Sequence, residues 1–116
     1  MPTHFEKIML KPKIILLLIM LLTLEAKASD LPRFNVGKHC ESVSQFANGS
    51  HSMYNGCIEV EQKSYDNLRR RWASISPRIR NYCIEVAEFA GSSYNMLDGC
   101  ITMEERAARE KKSFSY

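Results

Sequence analysis

CESVSQFANGSHSMYNGCIEVEQ (residues 40–62) and CIEVAEFAGSSYNMLDGCITMEE (residues 83–105) are one stretch written twice. They align without a gap at an offset of 43 residues, and ten of the 23 aligned positions are identical. The identities are Cys40/Cys83, Val43/Val86, Phe46/Phe89, Ala47/Ala90, Ser50/Ser93, Met53/Met96, Gly56/Gly99, Cys57/Cys100, Ile58/Ile101 and Glu61/Glu104. Repeats of this period are supersecondary units too small to bury an apolar face alone, so each is expected to stack on its copy.

Spacing and caps make each unit a helical hairpin. In the second copy Ser76-Pro77 reads as an N-cap followed by proline at the first helical position. Ile79, Cys83, Val86 and Ala90 then recur at helical spacing. Gly91 suits the left-handed residue after a helix end. Ser92 or Ser93 caps a return helix whose stripe is Met96, Cys100, Met103 and Ala107. The first copy runs through Cys40, Val43 and Ala47 to an Asn48-Gly49 turn, and returns with Tyr54, Cys57, Ile58, Tyr65, Leu68 and Trp72 on one face. Residues 74–76 read as the link between hairpins, and residues 29–37, with Pro32 and Gly37, as an irregular lead-in.

The expected fold is therefore all-α: two tandem antiparallel hairpins, four helices, in repeats of about residues 38–73 and 76–116. Four cysteines allow three disulfide connectivities. Cys40 and Cys57 are equidistant from the first turn, and Cys83 and Cys100 from the second. Helices rising about 1.5 Å per residue away from a turn bring such pairs to one height, which favours Cys40–Cys57 and Cys83–Cys100.

Two features complicate the pattern. Gly56 and Gly99 each precede the second cysteine of a repeat; the reading preferred here is close helix approach at the disulfide, and the rival is that Asn55-Gly56 and Asp98-Gly99 are turns. The copies also diverge, because Leu68 is matched by Lys111 and Trp72 by Ser115. The last helix is expected to turn polar after Ala107 and fray, with Phe114 or Tyr116 folding back in place of a second tryptophan.

Upstream, Lys7, Lys11 and Lys13 precede an almost unbroken apolar run at residues 14–24 and the small-residue site Ala26-Lys27-Ala28. This is the pattern of a signal peptide cleaved after residue 28. The run is shorter than the roughly 20 residues of a membrane-spanning helix, so a retained anchor is the weaker reading, and Met9 is an alternative start to Met1. Residues 29–116 form the expected single mature domain, with no transmembrane segment. They hold 12 Lys and Arg against 11 Asp and Glu, which argues against a nucleic-acid partner, since such surfaces carry a large cationic excess. Four cysteines in so small a domain fit an oxidising compartment, periplasmic or extracellular.

YCIEVAEFAGSSYNMLDGCI (residues 82–101), preceded by Leu68 and Arg71-Trp72 and followed by Glu104, resembles a family of small exported alphaproteobacterial proteins with a repeated Cys-x16-Cys helical-hairpin motif. Its members carry a Trp, a Cys, a Gly/Ser-rich turn with Ser-Tyr, a Leu and a second Cys-Ile or Cys-Leu in the same order. The likeness covers about residues 57–107, and more loosely the first copy from Cys40. It implies export and an oxidising compartment and supplies no reaction. The glycine before the second cysteine departs from the family's pattern.

No residue set names a chemistry. Redox-active thiols usually stand two residues apart at a helix start, whereas these pairs enclose sixteen residues. His39 and His51 flank the first hairpin, but zinc clusters space ligands more tightly and both histidines are tyrosines in the second copy. Glu61 and Glu104 could in principle share a proton; the ordinary reading is that each accepts a bond from an arginine or a helix N-terminus. There is no Ser/His/Asp order and no phosphate loop, so the protein is read as a non-enzyme with no cofactor. The densest charge is Arg69, Arg70 and Arg71 beside Trp72, with Arg78 and Arg80 across the link. These are candidate contacts for an anionic lipid, a polysaccharide or an acidic protein. The competing reading makes Trp72 a core plug and leaves the arginines solvated or paired with Asp66, Glu85 and Glu88. Asn48-Gly49-Ser50 matches a glycosylation acceptor, relevant only in a eukaryote. The expected role is an interaction or structural module whose partner is an envelope or extracellular protein; binding to anionic surfaces is the alternative.

Overall fold

The computed structural model describes residues 13–16 and 30–116. The chain divides into two compact units, Met1–Asp30 and Leu31–Tyr116. In the first, residues 13–16 are helical and exposed. The expected signal peptide and its cleavage site otherwise lie outside the described residues. No described helix is long and apolar enough to cross a membrane.

The second unit is all-helical, in the order α1 (Val36–Gln45), α2 (His51–Arg71), a 3-10 turn (Trp72–Ser74), α3 (Pro77–Phe89) and α4 (Tyr94–Arg109). Each helix begins on a polar side chain that accepts a first-turn N–H: Asn35 from Lys38, Ser50 from Met53, Ser76 from Ile79 and Ser93 from Met96. Gly37, placed by the sequence in the lead-in, falls inside the first turn of α1.

Both hairpin turns use one backbone solution. Gly49 N–H donates to Ser44 O and Asn48 N–H to Gln45 O; Ser92 N–H donates to Ala87 O and Gly91 N–H to Glu88 O. This is the paired bonding that satisfies the last carbonyls of a helix. Here it is made with two successive left-handed residues, Asn48 (φ 54°) and Gly49 (φ 73°) in the first turn, Gly91 (φ 96°) and Ser92 (φ 62°) in the second. Each copy has glycine at only one of the two. At Gly91 a side chain would also meet His39 Nδ1 at 3.3 Å.

The disulfides are Cys40–Cys57 and Cys83–Cys100, with Cα separations of 5.5 and 5.6 Å. Each joins the two helices of one hairpin, as equal distance from the turn predicts. α1 packs on α2, α3 on α4, and the hairpins join through α2 and α4. Along that seam Glu61 meets residues 93–95, Ser64 meets Asn95, Asn67 meets Asp98, and Arg71 reaches Asp98 and Glu105. The partners advance together, so α2 and α4 run parallel.

The core lies between the hairpins: Leu68, Trp72, Ile75, Cys83, Ala87, Tyr94, Leu97 and Ile101, with Leu31, Phe34, Val36, Tyr65, Ile79, Ile84 and Cys100 packed against it. Several sequence expectations shift here. The buried positions of α4 are Tyr94, Leu97 and Ile101, not the Met96–Met103 stripe, and in α3 Ala87 is buried where Ala90 is exposed. Leu97 and Ile101 answer Leu68 across the seam, whereas Met96 and Met103 lie on the face around the hairpin's own disulfide.

The glycine readings also change. Gly56 and Gly99 lie inside continuous helices, which removes the turn reading. A Cβ at either would meet nothing within 4 Å, so close approach is not their role. After α4 the chain leaves the helix at Glu110. Phe114 and Tyr116 pack edge-on against each other at 5.2 Å and stay exposed, so neither replaces a tryptophan.

Candidate functional site

Glu61 is the centre of the junction. It sits on α2 one turn beyond Cys57 and is only 3% exposed. Its carboxylate faces the start of α4, where a helix presents N–H groups without internal acceptors. Ser93 Oγ donates to Oε1 (2.5 Å), Tyr94 N–H to Oε2 (2.6 Å) and Asn95 N–H to Oε1 (3.4 Å). The positive end of the helix dipole lies at the same place. His39 Nε2 stands 3.7 Å away, on α1. One side chain of the first repeat thus caps the return helix of the second. This is the helix-terminus reading of the glutamate shared by the two copies, realised across the repeat boundary.

Tyr94 locks the junction from the other side. Its hydroxyl donates to Pro32 O (2.7 Å) and accepts from Phe34 N–H (2.9 Å), while its ring packs on Phe34 and Tyr65 at 4.8 and 5.0 Å. Burial pushes the phenol above its ordinary pKa, with the Phe34 N–H working the other way.

The arginine group divides. Trp72 is buried in the core. Arg80, also buried, lies over its ring with Cζ 5.6 Å from the centroid, and its Nε and Nη1 have no hydrogen-bond partner among the described residues. Arg71 turns to the seam and ion-pairs with Asp98 (2.8 Å) and Glu105 (2.9 Å), not with the Asp66, Glu85 or Glu88 that the sequence offered. Partial burial works to lower its pKa, but the bonds and charges of the two carboxylates outweigh it, and the net shift is upward. Arg69, Arg70 and Arg78 stay exposed. The aromatic centre and two of the five cations are therefore taken into the fold.

No cysteine is free among the described residues, and no group of three His, Cys, Asp or Glu side chains there is placed to hold a metal.

What the sequence did not single out is an uncovered apolar face on the second hairpin. Tyr82, Val86, Met96, Gly99, Met103 and Glu104 line a groove of about 420 Å³ around the second disulfide. A cavity of about 650 Å³, shared with Tyr82 and Glu104, extends to Ile79, Ala108 and Lys111. Tyr82 is 52% and Met103 70% exposed. The signal is present in the Met96–Met103 stripe, whose period alone reads as core. At the hairpin tips Phe46 and Phe89, identical in the two copies, are almost fully exposed.

No family model, no curated protein and no solved structure matches this chain.

Proposed function

We propose that the protein is exported to an oxidising compartment, periplasmic or extracellular, and acts there by binding, as an interaction or structural module of the cell envelope. The observation that carries this is the uncovered face of Tyr82, Met96 and Met103 beside Glu104. A small disulfide-stapled domain that leaves large apolar side chains contiguous and exposed beside a carboxylate has the features of a contact surface. The two disulfides support the compartment. The resemblance to exported alphaproteobacterial proteins belongs to this proposal alone. Binding to anionic surfaces is the weaker reading, because Trp72, Arg71 and Arg80 are engaged within the fold.

Two measurements test it. Intact mass and non-reducing peptide mapping of the protein recovered from cells should show loss of residues 1–28 and both intra-hairpin links; free thiols would reject the compartment. A photo-crosslinking residue at Met103 should then capture a discrete product in living cells, and charge reversal at Arg69, Arg70 and Arg78 should leave it intact. Loss of that product on charge reversal, with salt-sensitive binding to acidic vesicles, would favour the anionic surface instead.

A further inference from the structure

The two hairpins carry the same groove, and only the first is bounded by a turn and helix start of the other hairpin. The first is lined by Val43, Met53, Val60 and Glu61, the second by Val86, Met96, Met103 and Glu104, each pair 43 residues apart. The first is bounded at one end by Ala90, Ser93 and Asn95, from the turn and helix start of the second hairpin. Among the described residues nothing occupies that place on the second. The contrast is plain in the two glutamates: Glu61 is buried under three donors, whereas Glu104 is half-buried with no hydrogen bond or ion pair among the described residues. Likewise His39 is half-buried, and its counterpart Tyr82 is exposed.

We propose that the open end of the second hairpin receives the α1–α2 turn of a second copy of this chain, in a head-to-tail contact that repeats the contact already made inside each molecule. The occupant is fixed by the repeat. What bounds the first groove is the α3–α4 turn with the start of α4, and the α1–α2 turn is its counterpart, with Ala47, Ser50 and Met53 identical to Ala90, Ser93 and Met96. Its backbone is the same, with the same pair of turn hydrogen bonds and two left-handed residues. It also offers what Glu104 lacks. In α2 the N–H groups of Met53 and Tyr54 are taken by Ser50, while those of His51 and Ser52 have no acceptor among the described residues. Their counterparts Tyr94 and Asn95 are the two N–H groups that Glu61 accepts.

The side chain that follows fits the same geometry. Tyr94 lies against Tyr65 inside the molecule; in the second copy of the contact, His51 takes the place of Tyr94 and Ala108 that of Tyr65. The cavity of about 650 Å³ between Tyr82, Glu104, Ala108 and Lys111 is where that imidazole enters. Further along, Lys111 stands where Leu68 fills the internal seam. The contact between molecules therefore covers only the upper half of the internal one, and it dissociates on dilution. Being heterologous, it builds rings or open chains rather than a two-fold dimer.

This rests on reading the protein as an interaction module and names the partner. The test uses the chain expressed with its leader in an exporting host, and sedimentation of the recovered product across a range of concentrations. The wild type should gain mass with concentration. Glu104→Arg spoils the groove, and Ser52→Glu sets a carboxylate against Glu104 while remaining favourable at a helix start; each alone should stay monomeric at every concentration. An equal mixture should recover association. The intact turn of the first variant meets the intact groove of the second, and in the remaining contact the two substituted side chains face each other with opposite charge. Unfolding midpoints of both variants near wild type exclude misfolding as the cause. A wild type monomeric throughout, association indifferent to both substitutions, or a mixture that stays monomeric would each overturn self-docking. A monomeric wild type that still crosslinks a different envelope protein through Met103 would overturn self-docking alone and leave the interaction module standing.

Discussion

Glu61 and Glu104 are the same letter at the same place in a repeat, and they have different physical roles. Glu61 is a buried carboxylate whose removal strands Ser93 Oγ and two backbone N–H groups. Glu61→Ala should lower stability by roughly 2–4 kcal/mol, the cost of leaving buried donors without an acceptor. Glu104→Ala should stay within about 0.5 kcal/mol, as for an ordinary surface position. Urea midpoints of the two variants check this, and equal losses would refute the capping role. A second contrast concerns the glycines. Gly56 and Gly99 stand inside helices with open space where a Cβ would go. Gly56→Ala and Gly99→Ala should each raise stability, by up to about 1 kcal/mol, through helix propensity alone. A loss at either position would mean that the groove floor needs to be bare.

At the scale of the element, the hairpins were legible because their determinants are local. Caps, turn residues and cysteine spacing act within a few residues or one turn, so Ser76-Pro77, Asn48-Gly49 and both disulfides could be read directly. The buried face was not, since a helix here carries two apolar stripes. On α4 one stripe, Met96–Cys100–Met103, faces its own hairpin, and the other, Leu97–Ile101, faces the next. Periodicity is the same for both, and only the packing of α2 on α4 separates them. Ile75, fully in the core, was hidden for a related reason: it sits in the link, where no helical period applies. The arginine group was half legible; that Trp72 is a core residue was one of two readings, but the partners of Arg71 depend on the register of α2 against α4. For the disulfides the expectation is quantitative. Replacing Cys40 and Cys57 by Ala should cost about 3 kcal/mol by the loop-entropy estimate. Replacing Cys83 and Cys100 should cost more, because Cys83 belongs to the central core and Cys100 packs against it. Denaturation of the two double variants decides it, and a larger loss at the first pair would contradict this placing of the core.

For the whole molecule the decisive ties are the long ones, and Tyr94 makes two of them. It joins the lead-in at Pro32 and Phe34 to the start of α4, beside the Glu61 cap. Burial raises its pKa in the folded protein. The unfolded chain therefore loses the phenolic proton first, near the ordinary value of about 10. Stability from this group is fully present below that pH and is lost as pH rises through the higher folded value, since the unfolded state then binds fewer protons than the folded one. Tyr94→Phe cannot ionise, and it gives up the hydroxyl's bonds to Pro32 and Phe34. At pH 7 to 8 the variant should be less stable by about 1 kcal/mol, the usual net value of such bonding. Above about pH 10 the gap should narrow, because only the wild type has an ionisable phenol at this position. Paired denaturation curves at pH 8 and at alkaline pH measure it, the other tyrosines being common to both proteins. A gap that stays constant or widens with pH would mean that the phenol is solvated in the folded protein and that the lead-in is held by its other apolar contacts.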